Sequence, residues 1–530
     1  MPAGRPDRVG DDDSEIVAVA KGAGFLAAGQ VFSSAVRLVG AVLLARWLGA
    51  ERYGLYILAI SVGFAASSIA SMGLDVAMER YIAVFTRRGD EAGARGALQV
   101  GVVGTLIPGL LVALIVVVFS DEIAIRVFDE QNLTPLLGLA AALAVVIGLS
   151  TLMVSVLVGC KRIDQAAAAD QVIQPLSRLA FLLLLAPLGM TPFIAGLAFL
   201  LSYLVSIGAM LTFIDRKIPL AGLTRPARRD VREIGAFAFP FWFTGFLRIV
   251  RTRIQPLLLG VVGTATNVGV LSVVTSASSL GRLANASINT ALRPTLAELH
   301  DVGDAKEVGR LYATTTRWTL SASLPVFVFM VLVPHSLLGL FGKSFEAGVT
   351  ALVIAASAEV VNAATGMCGP IIAMSGHNKL KVMNATAWAV ISMVSSVVMI
   401  PLWGVTGAAL AILVSTTLIN TIRVAELWVL MRILPWDRRS WKPFAAALGS
   451  AVLTWPIVAA LPDRLGPGLI GAVAVWIGIV FVALVALFRL EPDDRRVLDR
   501  LVGRARRSVH SILGRAGKGP RQGKVTVPWS

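Results

Sequence analysis

Arginines placed where water is scarce are the residues of this chain best equipped for chemistry. Arg37, Arg248, Arg251 and Arg282 each fall inside a long apolar stretch. A charge at such depth is costly and usually faces an interior cavity. Their polar neighbours recur at helical spacing. Gln30, one of the pair Ser33 and Ser34, and Arg37 fall on one helix face. Arg248 and Arg251 share a face of a second helix. Thr275, Ser278, Arg282, Asn285 and Asn289 form a continuous stripe on a third, and Ser61, Ser68 and Asp75 align on a fourth. A guanidinium suits phosphate because its planar fork pairs two oxygens at once. The stripes therefore predict a polar, cationic cavity for an anionic group, and a diphosphate joined to a lipid is one fitting ligand.

Acidic groups are fewer. Glu359, with Asn362 beside it on the same helix, is the first candidate for coupling to a proton or sodium ion, its competing reading being a buried partner for a bundle arginine. Asp75 is the second ion-coupling candidate, against an interfacial ion pair in which Asp75 and Glu79 meet Arg80. Arg178 either pairs with Asp170 or lines the cavity, and Arg253 points away from Arg248 and Arg251 and reads as structural. Arg317 reads as a residue that snorkels or pairs in the bundle, and Arg423 with Glu426 as a local pair. Cys160 and Cys368 stand far apart with no CxxC or His-rich neighbourhood, so no disulfide, metal site or cofactor is expected. No GxxxxGK[ST] loop is present, which removes nucleotide-driven transport.

The elements that must position these groups are membrane helices. Of 530 residues, 56% are hydrophobic and only 15% charged, too few to give a polar shell; mean hydropathy is +0.77. The apolar runs reach the roughly 20 residues that span a bilayer and do not alternate, so helices are expected and a barrel is not. About fourteen spans can be placed. The expected organisation is a cytoplasmic segment over 1–21, a six-helix bundle over 22–214, a linker over 215–233, a second six-helix bundle over 234–431, an extra helix pair over 441–488 and a basic tail over 489–530.

Loop charge sets the orientation. With the N-terminus inside, the inner loops gather arginines and lysines from Arg80 to Lys442, while the outer loops hold only Arg46, Arg52, Arg126, Lys343 and Arg464. That places a multi-pass protein in the cell membrane with both termini cytoplasmic. The net charge of +16 then faces anionic lipid, and nucleic acid is not expected as a partner. The longest connections between spans are about 20 residues, short of the roughly 50 a domain needs, so a soluble catalytic domain is excluded and a transporter, not an enzyme, is expected.

The two bundles read as direct repeats. Leu48-Gly49-Ala50-Glu51-Arg52-Tyr53-Gly54 follows the first span, and Val262-Gly263-Thr264-Ala265-Thr266-Asn267-Val268-Gly269 follows the seventh. Setting Gly49 against Gly263 places Arg37 opposite Arg251, with one inserted residue before the second glycine. Parallel repeats of this kind belong to transporters that hold substrate between their halves.

The run from Gly40 to Tyr56, then Gly73-Leu74-Asp75 and Glu79-Arg80-Tyr81-Ile82-Ala83, resembles the signature of polysaccharide-biosynthesis membrane proteins, the oligosaccharide flippases of the multidrug/oligosaccharidyl-lipid/polysaccharide exporter superfamily. Pro401-Leu402-Trp403-Gly404-Val405-Thr406-Gly407 resembles the same family's turn between spans 11 and 12. The resemblance implies two six-helix bundles around a central cavity. It implies alternating access for an isoprenoid-diphosphate-linked oligosaccharide moved from the inner to the outer leaflet, with Arg37, Arg251 and Arg282 in spans suited to the diphosphate. It implies membrane lipids as surroundings and glycan polymerases or assembly proteins as partners. The extra C-terminal pair is similar to that of the lipid II flippase branch. Competing readings are a multidrug or organic-ion antiporter of the same superfamily, a membrane-integral polymerase or glycosyltransferase, and a non-transporting scaffold.

Overall fold

The computed structural model describes residues 9–218, 231–282, 305–374, 378–462 and 464–487, with side chains described from Gly29 onward. Every element among these residues is helical, as the unbroken apolar runs require. Among the described residues, eleven helices are long and apolar enough to cross a membrane. The main helices are α1 (Val9–Ser71), α2 (Leu74–Arg88), α3 (Glu91–Val118), α4 (Thr134–Gly159), α5 (Ile163–Leu188), α6 (Pro192–Asp215), α7 (Val231–Val262) and α8 (Ala265–Ser278). After them come α9 (Ala305–Leu332), α10 (Pro334–Gly339), α11 (Val349–Thr365), α12 (Cys368–Met374), α13 (Asn378–Met431), α14 (Lys442–Ala459) and α15 (Pro467–Leu487).

Two of these helices are hairpins in disguise. The apolar part of α1, Gly29–Ser71, has 43 residues, and drawn straight it would run about 65 Å, twice the thickness of a bilayer core. Gly49 breaks it with a left-handed φ of 71°, a conformation that glycine adopts without a Cβ penalty. The chain folds back there. Gly29 approaches Gln171 and Gly40 approaches Leu182, yet Arg178, between those two on α5, hydrogen-bonds Tyr56 beyond the turn. In α13 the break is Gly404, φ 54°. Ser395 Oγ donates to the Ala411 carbonyl 16 positions along, 3.4 Å away, which only antiparallel arms allow. These two hairpins, together with α8 and the remaining long helices, are consistent with the expected fourteen crossings. Residues 283–304, which follow α8 and carry the end of the polar stripe, lie outside the described residues.

The hairpin turns share one face of the molecule. Arg46 donates to the Leu340 carbonyl at 2.5 Å, the Ala265 amide donates to Glu130 at 3.2 Å, and Tyr53 meets Phe345 edge-on. This turn face therefore joins the Gly49 turn, the 119–133 connection and the segment around α10. The opposite, basic face carries α2, whose Tyr81 hydroxyl donates to Glu233 at 3.1 Å while Arg80 lies over Phe237. There too the buried Arg317 pairs with Asp437, and Trp436 donates to the Ala364 carbonyl.

The halves cross through reciprocal small residues. A Cβ on Gly54 would collide with the Ala265 carbonyl, and one on Gly269 would collide with the Ala50 carbonyl. Ala50 with Gly54 on α1 and Ala265 with Gly269 on α8 thus form a small-xxx-small crossing in which the backbones touch. The sequence comparison had set these same segments against each other. A second correspondence lies in the helix pairing. The first arm of α1 runs beside α5, and α7 runs beside the first arm of α13, where Gln255 donates to Ser392 at 3.0 Å. Helices α14 and α15 pack on each other and on α9, with Ala446, Ile470, Ile477 and Phe481 buried in one core with Leu337 and Phe341. Large apolar side chains such as Ile107, Leu111 and Leu114 on α3 and Ile479 and Val482 on α15 point outward, as lipid-facing residues do.

Candidate substrate cavity

The polar groups collect along α1 and α7, the helices that the alignment of Gly49 with Gly263 sets against each other. On the α1 side, Arg37 lies within electrostatic reach of Asp170, Arg178 and Tyr203. Asp170 and Gln171 sit on a π-helical turn, Ala168–Ile173, that interrupts α5; such wide turns recur at functional sites. Arg178 donates through Nη2 to the Tyr56 hydroxyl at 2.6 Å and lies 4.7 Å from the centre of the Phe199 ring. Gln174 donates to Ser202 at 3.1 Å, and Ser206 donates to the Ala169 carbonyl. Ser33 Oγ, Gln171 Oε1 and Arg178 Nε are buried with no hydrogen-bond partner among the described residues. Gln30 is half-buried one turn before Ser33, and its carbonyl accepts from Ser34. Of the two readings of Arg178, pairing with Asp170 and lining the cavity, the geometry gives a third: it is held by a tyrosine.

On the α7 side, Arg251 lies 4.5 Å from the centre of the Trp388 ring and Arg423 lies 5.1 Å from the same ring. Arg248 and Arg423 are both within electrostatic reach of Arg251. Nearby, Asn384 Nδ2 donates to Glu426 Oε2 at 2.6 Å, so Glu426 is held by an amide and not by Arg423 as local spacing had offered. Two guanidiniums thus meet at one indole with Arg248 within reach of one of them, and none of the three forms an ion pair among the described residues. An aromatic face attracts each cation, but it does not cancel the charge.

Arg253, two residues from Arg251, does point away from it. It lies over Phe64, 4.2 Å from the ring centre, and within reach of Tyr56 and Tyr203. It is therefore a link from α7 into the opposite half and not only a structural residue of its own. Arg282 pairs with Glu359 at 3.4 Å, with 58% of the arginine side chain exposed against 16% of the glutamate. Asn362 accepts from Asn420, which also lies against Cys368. Asp75 is elsewhere, half-buried in the first turn of α2 behind the left-handed Gly73. Asn285 and Asn289 lie outside the described residues. Among the described residues no cluster of His, Cys, Asp and Glu could hold a metal ion.

The sequence reading missed Tyr56, Tyr203 and Trp388. A usable signal existed for the tyrosines. The chain has only five, and a phenol in an apolar run needs a partner for its hydroxyl. Trp388 carried no such signal, because an indole among valines and alanines reads as packing.

Comparison with known proteins places this architecture. The sequence model of the family described as polysaccharide biosynthesis protein matches residues 19–300. The chain is 25% identical over 238 residues to the probable flippase AglR of Haloferax volcanii, covering 44% of this chain and 50% of that protein. It is 27% identical over 127 residues to the stage V sporulation protein B of Bacillus subtilis, covering 24% of each. The chain thus spans half or less of the curated relatives it matches. Among solved structures, the lipid II flippase MurJ in an inward closed conformation superposes with a TM-score of 0.68 at 16% identity, covering 87% of this chain and 98% of that one. An inward-facing multidrug resistance MATE family transporter of the MOP superfamily superposes at 0.57, also at 16% identity, over 76% of this chain and 94% of that one.

Proposed function

The chain belongs to the polysaccharide biosynthesis protein family, and from that premise we propose that it is a flippase for an isoprenoid-diphosphate-linked oligosaccharide. It moves the molecule from the inner to the outer leaflet of the cell membrane by alternating access, with its basic face cytoplasmic. The observation that carries this reading is the pair Arg251 and Arg423 at Trp388, with Arg248 within reach of Arg251 and none of the three in an ion pair among the described residues. Mutually repelling cations held in one place are stabilised by a ligand of opposite charge, and a diphosphate supplies several oxygens to share among them. An organic cation would meet repulsion at the same place. In this scheme Arg37 and Gln30 face the route from the first half, and Arg282 with Glu359 forms the pair through which an ion couples to transport. The Ala50–Gly54 and Ala265–Gly269 crossing holds the turn face shut.

The test is transport of a fluorescent lipid-diphosphate-sugar in proteoliposomes. Wild-type protein translocates the lipid and folded Arg251→Ala does not. A folded wild-type protein that leaves the lipid in its original leaflet, while moving a cationic drug, would assign the chain to the antiporter reading instead.

A further inference from the structure

A cavity with four polar side chains in a largely apolar lining lies on the turn face, away from the arginines at Trp388. It has a volume of about 850 Å³ and is bounded by the end of α9, the start of α10, the end of α14 and the connection to α15. This falls within the roughly 300–1,000 Å³ of pockets that take small molecules. Its polar lining is His335, Ser336, Glu346 and Arg464, and Trp455 supplies an aromatic wall.

The chemistry of these groups narrows the ligand. Arg464 Nη2 bonds Glu346 Oε2 at 3.1 Å, so the two charges cancel. The other carboxylate oxygen, Glu346 Oε1, is buried with no hydrogen-bond partner among the described residues. The rest of the Arg464 guanidinium stays available, since 56% of that side chain is exposed. The exposed His335 ring can both donate and accept. The Leu465 amide donates to Ser336 Oγ at 3.1 Å, which fixes the connection over α10. With the two charges paired, neither a phosphate nor an ammonium gains a net attraction there. A neutral ring bearing several hydroxyls satisfies both charged groups, because each hydroxyl donates to the carboxylate or accepts from the guanidinium. Trp455, 63% exposed, offers a flat apolar surface for the C–H face of such a ring.

We propose that this cavity is a binding site for a neutral sugar, built from the Glu346–Arg464 pair, His335 and Trp455. It is separate from the arginines at Trp388 and does not depend on what they bind. On the turn face it would hold a glycan at the side of the membrane opposite the basic loops.

The test uses the full chain in lipid nanodiscs with Ala459→Cys, a residue that lines the cavity. Both native cysteines are buried, so a membrane-impermeant maleimide reports on position 459. Maltose, cellobiose and diacetylchitobiose are the sugar probes, and glycerol 3-phosphate stands for an anionic lipid headgroup. At least one disaccharide should slow labelling, and Glu346→Gln or Trp455→Ala should raise the concentration needed by about tenfold. The second variant changes an exposed side chain, so it tests the site even where the first disturbs the Arg464 connection. Labelling untouched by every sugar, protection by glycerol 3-phosphate equal to that by sugar, or protection that survives both variants would overturn the assignment.

Discussion

The pairing of α1 with α5 and that of α7 with α13 are alike, yet the arginines they carry meet different partners. In the first half Arg37 has Asp170 within reach, and Arg178 is held by the Tyr56 hydroxyl and the Phe199 ring. In the second half the equivalent Arg251 shares one indole with Arg423, close to Arg248, and the nearby carboxylate of Glu426 is taken by Asn384. The first half sets one carboxylate near Arg37 and neutral partners around Arg178. The second pairs Arg282 with Glu359 and Arg317 with Asp437 but leaves Arg251 and Arg423 without an ion pair among the described residues, the charge that we propose a ligand compensates. A repeated scaffold therefore fixes where an arginine sits, and the residues on the facing helix decide whether it is structural or functional.

The largest expected effect breaks this contrast directly. Arg251→Ala should lower flipping by about 10- to 100-fold, the loss of one or two charge-assisted hydrogen bonds to phosphate. Arg251→Lys should recover only part of it, since an ammonium cannot make the bidentate fork. Initial rates in proteoliposomes read both. Next is the crossing between the halves. Gly54→Val puts carbon where the Ala265 carbonyl stands, and overpacking of this kind costs about 1–3 kcal/mol. A thermal melt of the purified protein should show the loss, and Gly269→Val should match it if the crossing is reciprocal. Tyr56→Phe removes the hydroxyl that holds Arg178 and should cost about 1 kcal/mol of stability, again by thermal melt, with flipping reduced less than by Arg251→Ala. The smallest effect is expected at Asp75. Asp75→Asn removes a favourable charge from the first turn of α2, a loss of about 0.3–1 kcal/mol, and should leave the ion dependence of flipping unchanged. Glu359→Gln should alter that dependence.

Much of this was legible in the sequence for one physical reason: lipid demands long apolar runs and makes every exception conspicuous. The spans, the turns near Gly49 and Gly404, and the depth of Arg37, Arg251 and Arg282 follow from that demand. Helical phase also separated Arg253 from Arg251 correctly. What phase could not supply was the partner across the helix interface, and Arg253 proved to reach Phe64 of the opposite half. The α5 helix defeated phase altogether. Its π turn at Ala168–Ile173 shifts the register between Asp170 and Arg178, so two residues that a regular helix would bring toward one face meet different partners. Trp388 was invisible because its role comes from the two arginines that α7 and the second arm of α13 bring to it.

We propose that the anion site belongs to the second half. The measurement that tests it most directly compares two double variants in the same flipping assay, with folding checked by melt. Arg37→Gln with Asp170→Asn neutralises the first-half pair together, and it should retain most of the wild-type rate. Arg251→Gln with Arg423→Gln leaves Trp388 without its cations, and it should abolish transport. Retained flipping in the second variant, with loss in the first, would contradict the account and move the site to the first half.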